Sequence, residues 1–189
     1  METNERFLFL LEQLAKRHSS REISKYCHRL SKGVRPTRRA DLWNVTFLCA
    51  WEHIFGEYQD VLEIVKLADD YRFKDGSTWG PMRWTYGLCA DVWRRLGDLE
   101  KASFFVNTIM EHENVFYARD GTPLLRGYYE ENAEYARRDG RHAAMIGWQL
   151  HQYCELIFCS LLPHCPIPAQ ALLDQAGKLA ATLRSEIKG

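Results

Sequence analysis

The chain has 189 residues, 46% hydrophobic and 26% charged, with 25 Lys and Arg set against 25 Asp and Glu. Such a chain is long enough and apolar enough to bury a sizeable core as one domain, residues 1–189, which excludes a disordered chain and a small scaffold that needs disulfide staples. A formal net charge of zero excludes a uniformly basic or acidic polyelectrolyte, yet nine basic residues against one acid, a local net of +8, lie between Lys16 and Arg39.

In chain order, the N-terminus interleaves charged with apolar residues and lacks the basic start, unbroken apolar stretch and cleavage site of a signal peptide. Phe7, Leu8, Leu10, Leu11 and Leu14, spaced by threes and fours, predict a helix over about 4–17. Ser19 and Glu22 form a capping-box pattern that opens a second helix, with Ile23, Tyr26, Cys27 and Leu30 as its apolar stripe and Gly33 at its end. Residues 34–39, including Pro36, complete an N-terminal region (1–40) as a basic connector.

Residues 41–162 then repeat. Leu42 to Ala68 reads as a helix, a turn at Gly56-Glu57-Tyr58, and a helix with Val61, Val65 and Ala68; Arg83 to Ile109 has Gly97-Asp98-Leu99 followed by Ala102, Val106 and Ile109 at the same offsets. From Arg126 a third copy has Gly140-Arg141-His142 and then Met145, but Gln149 and Gln152 stand where the other copies are apolar. The turn glycines are 41 and 43 residues apart, and glycine suits a left-handed turn position. A helical hairpin cannot cover its own apolar face, so regular spacing predicts stacked copies. Between them, Tyr71 to Ser77 and Phe116 to Thr122 share a basic-Asp-Gly-hydroxyl pattern that predicts loops, with Trp79 as a loop residue. Residues 163–189 close the array: Pro168 precedes a stripe of Leu172, Ala176, Leu179, Ala180, Leu183 and Ile187, one-sided as a capping helix must be.

These copies resemble the tetratricopeptide repeat, which places a small residue in its first helix, glycine at the turn and small and aromatic residues along its second helix. Ala90, Gly97, Leu99 and Ala102 match best, then Gly56, Tyr58 and Ala68, then Ala133 and Gly140, over about 42–153; the period exceeds the family's usual length of about 34 residues. The resemblance implies an all-α fold of antiparallel hairpins stacked as a short solenoid. It also implies an inner groove lined by Trp43, Thr46, Ala50, His53 and Ile54, by Trp84, Gly87, Asp91, Arg94 and Arg95, and by Gly127, Glu130, Glu134, Arg137 and Arg138.

Motifs that carry chemistry are few. Phosphate-loop, dinucleotide, nucleophile-elbow and His-Glu-x-x-His signatures do not occur. Six cysteines without a Cys-x-x-Cys pair read as buried thiols of a reducing, cytoplasmic compartment. His151, Cys154, Cys159, His164 and Cys165 offer a zinc-like donor set at non-standard spacing, against the simpler reading of small apolar core cysteines. Glu130 and Glu134 pair on one helical face, either for acid-base work or as solvated surface balanced by Arg137 and Arg138. Trp51, Trp93 and Trp148 read as core, whereas Trp43, Trp79 and Trp84 read as exposed anchors. The charge-free run from Leu156 to Leu173 is broken by Pro163, Pro166 and Pro168, so no membrane span is predicted.

The function expected is a non-enzymatic protein-binding module without cofactor or metal, its contacts being Trp43, His53, Trp79, Trp84, Asp91, Arg94, Arg95, Glu130, Glu134, Arg137 and Arg138. A bacterial toxin-neutralising (immunity) protein is one concrete form of it. The alternatives are a nucleic-acid-associated factor using residues 16–39 and a metal-dependent helical enzyme.

Overall fold

The computed structural model describes residues 2–19, 39–66, 76–113 and 122–188, together with 21, 22, 25, 28 and 29. The regular structure among them is helical throughout: α1 (Glu2–Arg17), α2 (Arg39–Phe55), α3 (Tyr58–Val65), α4 (Gly76–Arg95), α5 (Leu99–Glu113), α6 (Thr122–Leu125), α7 (Tyr128–Arg138), α8 (His142–Leu161) and α9 (Ala169–Lys188). Most of the second helix and basic connector expected over 19–39 lies outside the described residues, as do Ala68, 71–75 and 116–121. At Ser19 half of the capping box is present: the Glu22 carboxylate accepts the Ser19 amide at 2.9 Å and its hydroxyl at 2.8 Å.

The three glycine turns share one geometry. Gly56, Gly97 and Gly140 have φ of 82°, 83° and 68°. At each, the glycine amide donates three residues back (to His53, Arg94 and Arg137), and the next amide donates five residues back, Glu57 to Glu52, Asp98 to Trp93 and Arg141 to Ala136, at 2.8–3.1 Å throughout. This double closure satisfies the last carbonyls of the first helix and reverses the chain, and the second helix starts two residues after each glycine.

The expected loop at Asp75-Gly76-Ser77 is corrected in part. Residues 76–80 already belong to α4, which carries Pro81 inside it, so Trp79 is a helical residue. Proline removes one helical amide, while its own carbonyl accepts the Thr46 hydroxyl at 3.0 Å; Thr46 also meets the Thr85 hydroxyl at 2.8 Å. Two buried threonines thereby tie α2 to α4.

The hairpins do not stack only in sequence. Helix α8 packs against α1, α2, α4, α6, α7 and α9, and its buried residues run round its circumference, from Ala144 to Ser160. A helix apolar on nearly every face belongs in an interior. It meets α4 tightly at Gly87, where an added Cβ would stand 3.2 Å from the Phe158 ring. Helix α9 covers α8 with Leu172, Ala176, Ala180, Leu183 and Ile187, all buried, as the one-sided stripe requires.

Gly87→Val should therefore force α4 and α8 apart and cost ~1–3 kcal/mol, read as a lower urea midpoint. An unchanged midpoint would show that the two helices do not meet there.

Candidate functional site

The face of α2 and α4 expected to form an open groove is filled by α8. Thr46, Ala50 and Asp91 are 0% exposed, His53 and Ile54 3%, and Trp84 6%; Trp43 is half-buried. Trp84, expected as an exposed anchor, is corrected to a core residue: its indole N–H donates to Glu155 of α8, whose carboxylate also takes Arg83 at 3.1 Å. Trp51 is fully buried, while Trp93 and Trp148 are half-buried against the core.

Beside this pair, the His53 ring nitrogens meet the Tyr153 hydroxyl at 2.7 Å and Asp91 at 3.0 Å. Asp91 also accepts Arg94 and Arg95, the latter at 2.5 Å. Burial alone would raise the Asp91 pKa, but hydrogen bonds from His53 and Arg95 and the Arg95 charge hold it well below the carboxylate range. Burial lowers the His53 pKa, with the Asp91 bond opposing. A neutral imidazole then donates from Nε2 to the carboxylate and accepts the Tyr153 hydroxyl at Nδ1. The order resembles a proton relay, but Tyr153 is 4% exposed and burial raises its pKa. Protein closes both ends, so the network locks α2, α4 and α8 together.

His151, one turn before Glu155, stands among the rings of Trp43, Phe47, Trp84 and Trp148 at centroid separations of 4.7, 5.1, 5.0 and 5.6 Å. Its Nε2 is buried with no hydrogen-bond partner among the described residues, and burial, assisted by the Arg83 charge, lowers its pKa to about 3. His151 therefore faces aromatic rings and not the cysteines of the candidate zinc set. Cys154 and Cys159 are core residues whose thiols burial pushes up. Among the described residues, the group close enough to share an ion is His28, Asp60 and Glu63, within 4.8 Å; Lys25 and Arg29 line the same hollow.

An open cleft lies between α7 and α9. Helices α7 and α9 flank α8 without closing over it and leave a cleft of about 550 Å³. Glu130, Glu134 and Arg137 form its α7 wall; Gln175, Lys178 and Thr182 form its α9 wall; Ala133, Gln149, Gln152, Leu156 and Leu179 line the rest. Arg137 bonds Glu134 at 3.0 Å and reaches Glu186 of α9 at 3.7 Å, bridging one end. Arg138 holds Glu134 from outside at 3.0 Å, and Gln152 donates to Glu130. Gln149 is 7% exposed, yet its Oε1 is buried without a partner among the described residues.

Of the contact residues expected from sequence, Glu130, Glu134 and Arg137 line this cleft, with Arg138 beside it. Trp43, His53, Trp84, Asp91, Arg94 and Arg95 belong to the α2–α4–α8 junction, and the Trp79 side chain lies outside the described residues. Sequence reasoning missed Gln149, Gln152, Gln175, Lys178 and Thr182. The signal available was the break in the repeat: glutamines where the earlier copies have Val65 and Ala68, or Val106 and Ile109. Of the nine basic residues in 16–39, Lys16 pairs with Glu12 at 2.9 Å, Lys25 and Arg29 line the hollow beside Asp60 and Glu63, and Lys32, Arg35 and Arg38 lie outside the described residues. No helix among the described residues is long and apolar enough to cross a membrane.

No protein-family model, curated protein or solved structure matches this chain.

Two measurements check this geometry. A buried amide oxygen without a donor costs about 1–3 kcal/mol, so Gln149→Met, similar in length and apolar, should stabilise the fold by ~1 kcal/mol, a Tm rise of about 2–4 °C; a lower Tm would show that the oxygen is satisfied. For pH, His151 is neutral in the folded protein down to about 3, whereas an unfolded histidine gains its proton near 6.5. The unfolded state therefore binds more protons between those values, and stability falls on acidification by about 1.4 kcal/mol per pH unit for this residue. His151→Phe should flatten the slope of unfolding free energy between pH 6 and 4 by one proton; an unchanged slope would place His151 in contact with solvent.

Proposed function

We propose that this chain is a non-enzymatic protein-binding module, a short stack of helical hairpins of tetratricopeptide type that holds a segment of another protein in the cleft between α7 and α9. The observation that carries this reading is the open cleft between α7 and α9, lined in part by Gln149, whose buried Oε1 has no hydrogen-bond partner among the described residues. A polar atom buried without a partner destabilises the fold, and such local inconsistencies concentrate where a protein meets a ligand. The cleft is open and mostly lined by polar and charged side chains, whereas sites for small molecules are enclosed and mainly apolar. Fully desolvated polar groups within a partly apolar surface suit a protein partner.

Recognition of this kind works by occlusion: the partner segment is covered on three sides by preformed helices, and little ordering is needed because the walls are rigid. The α2–α4–α8 junction supplies that rigidity. A toxin domain whose active surface is covered in this way is one partner of the class.

A photoreactive amino acid at position 182, on the exposed cleft wall, should cross-link a protein in native lysate, while the same group at position 100 on α5 should not. The Glu134→Lys/Lys178→Glu variant should abolish the adduct. Cross-links independent of position, or unaffected by that variant, would remove the cleft from the partner surface.

A further inference from the structure

We infer that the cleft takes an extended peptide segment carrying a basic and an acidic side chain on opposite sides of its backbone, the base toward Glu130 and the acid toward Lys178. This deepens the protein-binding reading and rests on it. The unmet group behind the floor is an acceptor, Gln149 Oε1, buried without a partner among the described residues; because Gln149 lines the cleft, a turn of its carboxamide brings that oxygen to a donor on the occupant. A helical segment would bring few, because its amides are spent within the helix. An extended segment presents an amide and a carbonyl at every residue, and a carboxamide side chain offers the same complement. Gln149, Gln152 and Gln175 all line the cleft, so it is furnished for backbone pairing along its length.

Charge then sets the sides. Glu134 is neutralised by Arg137 and Arg138. Glu130 receives a hydrogen bond from Gln152 but faces no cation within ion-pair distance among the described residues, and Lys178 likewise has no acid. The unmatched negative charge stands on the α7 wall and the unmatched positive charge on the α9 wall. Successive side chains of an extended chain point to opposite sides, so a basic and an acidic residue separated by one or three positions meet the two walls together. At a separation of two, both would face one wall, and one would meet its own charge.

The test uses the whole chain, immobilised, and a library of capped octapeptides randomised at every position, with sequencing of the retained peptides. Wild type should enrich basic-acidic pairs at odd separations at least fivefold over even ones. Lys178→Glu should remove the preference for the acid, and Glu130→Lys the preference for the base. Gln149→Met, whose fold is checked independently by its Tm, should weaken the best peptide about tenfold, as should N-methylation of the peptide backbone. Enrichment of apolar residues spaced by threes and fours would mean a helical occupant and overturns the inference, as does any enrichment that the wall variants leave unchanged, or none at all. If position 182 still cross-links a protein while the library yields no odd-spaced pair, the protein-binding reading stands and the extended-peptide inference falls.

Discussion

A helix whose residues are apolar around nearly its whole circumference must be surrounded, and the rest of this molecule is arranged to surround α8. Six of the described helices meet it. Each contact uses a different chemistry: Gly87 lets α4 approach Phe158, His53, held by Asp91, reaches Tyr153, Arg83 and Trp84 converge on Glu155, and the α9 stripe closes the far side. The polar contacts among these are costly to bury unless they are complete. The Glu155 and Asp91 carboxylates are met by hydrogen-bonded donors, so these buried groups specify how α8 lies against α2 and α4.

That constraint leaves one side of α8 open. Near Gln149 and Gln152, α7 and α9 stand apart, bridged at one end by Arg137 and Glu186. The floor of the cleft is thus a rigid helix held from behind by the core. A site on such an element is presented without the ordering cost of a loop. The same helix sets His151 among rings of α2 and α4 and brings Gln149 and Gln152 to the cleft, so one twenty-residue segment serves both the core and the cleft floor.

The resemblance to tetratricopeptide repeats directed attention to the first-helix faces. Those of α2 and α4 carry Trp84, Asp91 and His53, residue types that serve well at interfaces, and here they meet α8 instead. Burial by another part of the same chain satisfies the same side chains that a partner would. Residue type and register describe a face that must be covered; they do not say what covers it.

Local rules were enough for much of the fold. The glycine spacing, the three- and four-residue apolar periods and the one-sided C-terminal stripe determined the helices, their turns and the capping role of α9, because each depends on neighbours within a few residues. Glu130, Glu134 and Arg137 were legible as a charged helix face, and Gln149 and Gln152 as a break in the repeat. That α8 fills the inner face of the first two hairpins, that His151 meets rings and not thiols, and that Lys178 stands across a cleft from Glu130 were decided only by tertiary structure. These depend on which helices meet across separations of 48 to 108 residues along the chain, roughly from Glu130 to Lys178 and from Trp43 to His151, and a periodic pattern carries no record of which distant face answers it.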